Sequence, residues 1–230
     1  MPTEEARKRC WFIDSKGLVV KSRKGLAEHK LPYAHDYPSC PDLLAAIQAL
    51  KPTVLIGASG MGKGFSQPVV EAMAKLNERP IIFALSNPTS KSECTAEEAY
   101  TWSGGRAVFA SGSPFPPFTY RGQTFMPGQG NNVYIFPGVG LGVVACEARH
   151  VTDQMFLTTA KTLASQVLPS DLEQGRIYPE LKRLQEVSVV IATAVAEVAY
   201  KDGLAHKKRP ADLLAYIKSQ MYKPIYQSYI

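Results

Sequence analysis

The sequence predicts an α/β fold in which a doubly wound parallel sheet is followed by a C-terminal helical segment. In the first half of the chain, short β-branched or aromatic runs alternate with helical patterns, and such repeated units are typical of doubly wound sheets. The predicted strands are apolar on both faces, as in a parallel sheet that helices cover. Beyond residue 140 the hydrophobic pattern is helical throughout.

Each element is predicted from its own residues. Thr95 and Glu98 fit a capping box at the start of one helix, and Gly203 fits the C-terminal cap of another. A small hairpin is predicted near "YRGQTF", residues 120–125, inside a Gly-, Pro- and Asn-rich stretch from Gly112 to Gly140. The predicted strands are residues 10–14, 53–57, 80–86 and 107–111, and the predicted helices are residues 41–51, 66–77, 95–103, 141–150, 152–167, 180–203 and 210–222.

Length and composition predict one globular domain over residues 1–230, with an α/β part over about 1–140 and a helical part over about 141–230. No apolar run approaches the roughly 18 residues that span a membrane, so no membrane partner is expected. The formal charge of +6 comes from scattered basic clusters without interleaved aromatic residues, which argues against a nucleic-acid partner.

The cysteine and histidine residues offer no metal chemistry. The four cysteines lie far apart without a C-x-x-C pair, and the four histidines have no metal-ligand spacing. Free thiols indicate a reducing, intracellular compartment, which can be the cytosol or an organelle.

The stretch "TVLIGASGMGKGF", residues 53–65, resembles a phosphate-binding loop because Gly57, Gly62 and Lys63 fit G-x-x-x-x-G-K. Three features count against an ATP or GTP site. Position 64 is Gly where Ser or Thr would bind magnesium, Pro68 indicates a late helix start, and no later strand ends in a suitable Asp. A turn beside a dinucleotide, at the carboxyl end of a sheet strand, is favoured over a purely structural turn.

Asparagine residues in two other loops are also candidates for binding a ligand. Asn87 comes just after a predicted strand, and Asn131 and Asn132 lie between glycines. An Asn side chain can offer a ligand both a donor and an acceptor, although Asn beside Gly also marks ordinary turns.

Six stretches carry a family resemblance, and they occur in a fixed order: "WFIDSKG", "LIGASGMGKGF", "FALSNPTSKSECTAEEAY", "FASGSPF", "PGQGNNVYIFPG" and "YPELKRLQEVSVVIA". Together they closely resemble the C-terminal, cofactor-binding part of malic enzyme, over about Arg9 to Tyr229. The resemblance implies a Rossmann-like fold and the oxidative decarboxylation of malate by NAD(P)⁺ and a divalent metal, giving pyruvate, carbon dioxide and NAD(P)H. It also implies a homo-oligomer for the complete enzyme.

The resemblance implies site residues as well. It places Asn87, Asn131 and Asn132 at the nicotinamide and the malate, so that Asn87 and Asn131 serve both cofactor and substrate. The remaining cofactor-lining residues that it implies are Asp14, Ser15, Gly57, Ala58, Ser59 and Gly60.

The choice between NADP and NAD depends on the segment that follows the first predicted strand. Asp14 alone favours the ribose hydroxyls of NAD. Ser15 and Lys30 resemble the NADP-dependent members of the family, so NADP is favoured, with Lys30 as the cation for the 2′-phosphate. A solvated Lys30 is the alternative, and Arg23 or Lys24 could take its role.

The resemblance further implies what this sequence lacks. In the family the catalytic Tyr and Lys and the three carboxylates that hold Mg²⁺ or Mn²⁺ come earlier in sequence, so we expect a fragment that carries no catalytic or metal-binding residue. The sheet would lack its first, central strand, at a cost on the order of 10 kcal/mol, unless residues 10–14 and 53–57 pair with each other. A non-catalytic nucleotide-binding or oligomerisation module is the main alternative function.

Overall fold

The computed structural model describes residues 1–222 and divides the chain into two compact units, Met1–Pro127 and Gly128–Ile230. The first unit mixes strands and helices, and the second is mainly helical. The change to mainly helical structure comes at residues 127–128. The sequence pattern instead predicts this change at about residue 140. Residues 223–230, the end of the predicted single domain, lie outside the described residues.

The first unit contains helices that alternate with strands. The helices are α1 (Thr3–Arg7), α2 (Leu43–Leu50), α3 (Gln67–Leu76) and α4 (Ala96–Trp102), with 3₁₀ turns at Glu28–Tyr33 and Thr89–Lys91. The strands are β1 (Ile13–Asp14), β2 (Gly17–Leu18), β3 (Val54–Gly57), β4 (Ile81–Ala84), β5 (Val108–Ser111), β6 (Phe118–Tyr120) and β7 (Gln123–Phe125). The predicted helices of this unit, the hairpin β6–β7 and three of the four predicted strands are confirmed.

Strands β3, β4 and β5 run parallel in that order, and their ends are level because Gly57 pairs with Ala84 and Ala84 with Ser111. This level edge brings the loops after the three strands together, which is where ligands bind in open α/β sheets. The core under the sheet is made of apolar side chains that include Val70, Met73, Ile82, Tyr100 and Phe109.

Local signals in the sequence fix where the helices begin. The Asp42 side chain accepts the Ala45 N–H and caps α2. Thr95 and Glu98 form the predicted capping box of α4, in which each side chain accepts the other residue's backbone N–H. Pro68 lies in the first turn of α3, where its missing N–H costs nothing.

The prediction of a sheet strand over residues 10–14 is wrong. Only Ile13–Asp14 forms a strand within this range, and it pairs antiparallel with Gly17–Leu18 instead of joining β3. The Asp14 side chain accepts the Lys16 N–H, and Gly17 has φ +92°, so the chain turns back at once.

Strand β3 lies at the edge of its sheet, with β4 as its neighbour. The outward side chains of this strand are exposed, Val54 at 41% and Ile56 at 58%. Among residues 1–222, residues 10–14 therefore do not pair with residues 53–57, which rules out that alternative.

The second unit is built on α5 and α8. Its elements are β8 (Gly128–Gln129), α5 (Phe136–Cys146), α6 (Asp153–Ser165), α7 (Pro169–Glu173), α8 (Leu184–Lys201) and α9 (Leu213–Gln220), with 3₁₀ turns at Asn132–Tyr134 and Leu181–Arg183. The predicted helices at 152–167, 180–203 and 210–222 are confirmed. Gly203, at φ +66°, follows α8 as the predicted terminal glycine.

The prediction for α5 has the wrong bounds, because residues 141–150 are expected and Phe136–Cys146 are observed. Pro137 lies in the first turn, and Gly138 and Gly142 face α8 closely. Three glycines and a proline resemble a loop by composition, yet here they allow two helices to approach. The helix ends where Glu147 takes φ +51°.

Tyr100 and Tyr134 offer a matched test of core hydrogen bonding. The Tyr100 hydroxyl is buried without a hydrogen-bond partner among residues 1–222, and its ring stacks on Phe125 at a centroid distance of 4.2 Å. The buried Tyr134 hydroxyl instead donates to the Pro179 carbonyl at 2.6 Å.

We therefore expect Tyr100→Phe to leave the free energy of unfolding unchanged or to raise it, by up to about 1–2 kcal/mol. Tyr134→Phe should lower it by about 1 kcal/mol. Urea unfolding followed by far-UV circular dichroism measures both variants. A larger loss in Tyr100→Phe than in Tyr134→Phe would contradict this description of the core.

Candidate functional site

The carboxyl ends of β3, β4 and β5 form the candidate site of the first unit. The loop after β3 contains Ala58, Ser59 and Gly60, all exposed, and the loop after β4 begins with buried Ser86 and exposed Asn87. The Gly60 N–H donates to Ser86 Oγ at 2.9 Å, so the two loops are in direct contact. The predicted Gly57–Gly60 turn and Asn87 are thus brought to one edge of the sheet.

A buried carboxylate lies beneath these loops. Glu93 is 1% exposed and accepts from the Ser59 N–H at 3.2 Å, from Ser86 Oγ at 2.5 Å and from the Ser86 N–H at 3.3 Å. The amides of Ser59 and Gly60 therefore point inward, toward Glu93 and Ser86. In a phosphate-binding loop such amides face the ligand.

The glycines of the loop have a packing role in the structure. A Cβ at Gly57 would lie 2.5 Å from Glu93 Cδ, and a Cβ at Gly62 would lie 2.5 Å from the Ser90 carbonyl oxygen. Both are closer than real Cβ contacts. Gly60 has φ +69° with open space around it. The glycines thus make room for Glu93 and for the neighbouring loop.

Lys63 is engaged by the protein itself. Its Nζ donates to Glu98 Oε1 at 2.6 Å, and α3 begins only at Gln67. Burial alone would raise the pKa of Glu98, but the hydrogen bonds from Lys63 and the Thr95 N–H outweigh it and lower that pKa. This geometry disfavours the phosphate-loop alternative, because Lys63 pairs with the Glu98 carboxylate of α4, whereas the lysine of a phosphate loop binds phosphate.

Asn87 is held by the loop that follows β5. Ser113 Oγ donates to Asn87 Oδ1 at 3.0 Å, and Ser111 Oγ donates to the Ser113 carbonyl at 2.8 Å. The Asn87–Pro88 peptide is cis. Because the Asn87 oxygen is bound internally, its amide N–H₂ group is the end suited to a ligand.

Asp14 forms a charged cluster with Lys30, the predicted phosphate cation, and with Arg23, one of the alternatives to it. Lys30 Nζ lies 2.6 Å from Asp14 Oδ2, and Arg23 Nη2 lies 3.0 Å from Asp14 Oδ1. Hydrogen bonds from Lys30 first, and from Arg23 second, hold the pKa of Asp14 well below its usual range. Arg23 also donates to the carbonyls of Gly17 and Leu18. Two cations around one carboxylate leave the cluster positive.

The residues around Asp14 differ in exposure and in the hydrogen bonds that they make. The Lys30 side chain is 34% exposed and uses one of its donors on Asp14. The Arg23 side chain is 17% exposed, and its guanidinium bonds to Asp14 and to the carbonyls of the β1–β2 turn. Ser15 and Lys24 are exposed.

Asn131 and Asn132 belong to the second unit, and both are exposed. Asn131 Oδ1 accepts the Val133 N–H at 2.9 Å and caps the 3₁₀ turn Asn132–Tyr134. The turn role that the sequence leaves open for Asn131 is therefore present. Among residues 1–222 no hydrogen bond engages the Asn131 amide N–H₂ or the Asn132 side chain, so both can face a ligand.

Sequence patterns do not single out Glu93, Ser86 or Ser113, although the quoted motif "FALSNPTSKSECTAEEAY" contains Glu93 and Ser86. A glutamate between serine and cysteine resembles any surface glutamate, so no local signal reveals its burial. Burial similarly raises the pKa of the adjacent Cys94 thiol to about 12, which makes it unreactive.

Residues 1–222 contain no group of three or more His, Cys, Asp or Glu side chains that could hold a metal ion. No helix among the same residues is long and apolar enough to cross a membrane.

The fold and the loop cluster at the strand ends define this chain as an open α/β protein with a candidate ligand site beyond its strand ends. Residues 1–200 match the family model described as malic enzyme, NAD binding domain. The chain belongs to this family.

Relatives and solved structures agree with the assignment. The chain is 56% identical to an NADP-dependent malic enzyme of Phaseolus vulgaris over 99% of its length and 39% of the relative's, and 54% identical to one of Dictyostelium discoideum over 97% and 42%. A malic enzyme structure from Pyrococcus horikoshii Ot3 aligns with a TM-score of 0.63 at 26% identity, over 88% of this chain and 43% of that one. The Entamoeba histolytica malic enzyme shares the fold, with a TM-score of 0.71 at 22% identity. The chain spans about two fifths of the length of these proteins.

Proposed function

We propose that this chain is the cofactor-binding part of an oxidative decarboxylase that converts malate and NADP⁺ to pyruvate, carbon dioxide and NADPH. The observation that carries the proposal is the 53–56% identity, over nearly the whole chain, to several relatives named NADP-dependent malic enzyme. NADP supplies the hydride acceptor when it is bound. The residues of this chain bind and orient it.

The positive cluster supports NADP over NAD as the cofactor. In many dinucleotide folds, an acidic residue at the position of Asp14, the end of β1, accepts hydrogen bonds from the ribose hydroxyls of NAD. Here the Asp14 carboxylate is already occupied by Lys30 and Arg23. A 2′-phosphate could accept from the remaining donors of Lys30, while NAD offers no such charge.

The other proposed contacts follow from the loops. Ala58, Ser59 and Gly60 offer their exposed outer surface to the cofactor, with Gly57 below them and Ser15 near the phosphate cation. Within the part of the chain that the structure describes, Asn87 and Asn131 engage their side-chain oxygens, so the amide N–H₂ group of each can donate to an acceptor oxygen of the nicotinamide carboxamide or of malate. Asn132 is proposed to bind malate alone.

The proposal includes that the isolated chain has no malic enzyme activity. Residues 1–222 offer no metal-holding cluster, and the Mg²⁺ or Mn²⁺ ligands and the acid–base pair are proposed to lie outside this chain. General acid–base catalysis alone is worth about 10²–10⁴-fold. We expect no malate-dependent NADPH formation above a heat-inactivated control. A steady NADPH absorbance signal with malate and Mn²⁺ would refute this part of the proposal.

A non-catalytic nucleotide-binding or oligomerisation module remains the second candidate function. The edge that β3 leaves unpaired within residues 1–222 favours it, because such an edge can pair with another chain. Val54 and Ile56, exposed on one face of the same strand, add apolar surface that another chain can cover. The complete enzyme is proposed to be a homo-oligomer.

A further inference from the structure

Glu93 is a buried carboxylate whose hydrogen-bond partners within residues 1–222 are all neutral. Its side chain is 1% exposed, and it accepts from the amides and hydroxyls of Ser59 and Ser86. A buried charge is costly unless it is hydrogen-bonded, and an apolar side chain would fill the same space at lower cost. Packing alone therefore does not explain why a carboxylate occupies this buried position.

The hydrogen bonds of Glu93 explain its position, because they connect two loops of the candidate site. Glu93 Oε1 accepts from Ser59, in the loop after β3, and from Ser86, at the start of the loop after β4. Ser86 Oγ donates to Glu93 and accepts the Gly60 N–H at 2.9 Å, so it extends the same network. One carboxylate thereby joins both loops of the candidate site, and Asn87 is the next residue after Ser86.

We propose that Glu93 is a positioning residue of the cofactor site. Its carboxylate takes the place that a bound anion would take in a phosphate loop. It holds the Ser59 amide inward directly, and it holds the Gly60 amide inward through the Ser86 hydroxyl. The outer surface of the loop and Asn87 are thereby fixed in the arrangement that meets the dinucleotide. The identity of this ligand rests on the proposed function, whereas the fixing of the loops does not.

The matched variants are Glu93→Gln and Glu97→Gln. Gln keeps the volume of Glu93 but replaces one acceptor oxygen with a donor N–H₂, which then faces donors of Ser59 or Ser86. Glu97, four positions along the chain, is exposed, so the same substitution there removes a charge without touching the loops.

The first measurement is amide hydrogen exchange in the ligand-free 230-residue chain. In Glu93→Gln we expect exchange at Ser59 to accelerate roughly tenfold or more, the effect of losing a hydrogen bond to a charged group. Exchange at Gly60 should also accelerate, because its acceptor, Ser86 Oγ, loses the carboxylate that orients it. Amides of the central strand, such as Ile82, should change much less, which separates loop positioning from general destabilisation. Exchange at Ser59 and Gly60 that matches Glu97→Gln, or a uniform acceleration throughout the unit, would overturn the proposal.

The second measurement is NADPH binding by the same proteins, followed by NADPH fluorescence. Glu93→Gln should weaken binding roughly tenfold, and Glu97→Gln should leave it unchanged. If the unsubstituted chain binds no NADPH, the proposed function fails and the exchange data alone decide whether Glu93 fixes the loops. If binding by Glu93→Gln equals that of the unsubstituted chain, Glu93 does not position the cofactor site.

Ser86→Ala provides the same test should Glu93→Gln not fold. This change removes one hydroxyl, which both donates to Glu93 and accepts from Gly60. Exchange at Gly60 should accelerate with the core amides unchanged. An unaltered Gly60 amide would contradict the network.

Discussion

Replacing Lys30 with alanine in a complete malic enzyme that contains this chain should raise KM for NADP and leave KM for NAD nearly unchanged. Only NADP carries the 2′-phosphate, so only NADP loses a charge-assisted contact. Such a contact is worth about 1.5–3 kcal/mol, or roughly 10- to 150-fold in KM. The 34% exposure of the Lys30 side chain indicates the lower part of this range, since water and salt screen it.

Arg23 and Lys24 separate the alternatives for the phosphate cation. Lys24 is exposed, so Lys24→Ala should change the kinetics of both cofactors little. Arg23→Ala should impair NADP and NAD together, because Arg23 holds the carbonyls of Gly17 and Leu18. If Lys30→Ala also shifts both cofactors equally, this segment does not distinguish them, and Asp14 would then favour NAD.

Gly142→Ala should lower the free energy of unfolding by about 1–3 kcal/mol, whereas Gly140→Ala should raise it by up to about 1 kcal/mol. Both glycines lie in α5. A Cβ at Gly142 would lie 2.6 Å from the Ala192 carbonyl oxygen and 3.0 Å from Val195 Cβ, while Gly140 has nothing within 4 Å. Backbone atoms cannot yield cheaply, so only the first change overpacks the contact with α8.

The measurement is urea unfolding followed by the far-UV circular dichroism of the helices. The two variants share a helix and a substitution, so the gain in helix propensity cancels in their comparison. Equal stabilities for the two variants would mean that α5 and α8 do not approach as closely as the structure has them.

The parallel sheet and most helices could be predicted because their signals are local. Leu43, Leu44 and Ile47 give α2 an apolar face, and Asp42 caps it. The apolar runs of β3, β4 and β5 are equally plain in the sequence. The level edge that joins Gly57, Ala84 and Ser111 follows from the parallel order of these strands.

The errors arose where a contact with a distant residue decides the structure. Gly138 and Gly142 resemble loop residues until Ile191 and Ala192 of α8 are brought against them. The burial of Glu93 depends likewise on a partner far away in sequence, since Ser59 comes 34 residues earlier. Residues 10–14 are an exception, because the feature that decides their structure is local. They have a strand composition, but the turn from Asp14 to Gly17 pairs Ile13–Asp14 with Gly17–Leu18 instead of with β3.

The most direct test of the central claim is calorimetric titration of the folded 230-residue chain with NADPH and, separately, with NADH. Circular dichroism first establishes that the chain is folded. We expect NADPH to bind roughly tenfold or more tightly than NADH, and added salt to reduce this preference because it screens the contact between Lys30 and the 2′-phosphate. A folded chain that binds neither nucleotide, or binds both equally at low salt, would contradict it.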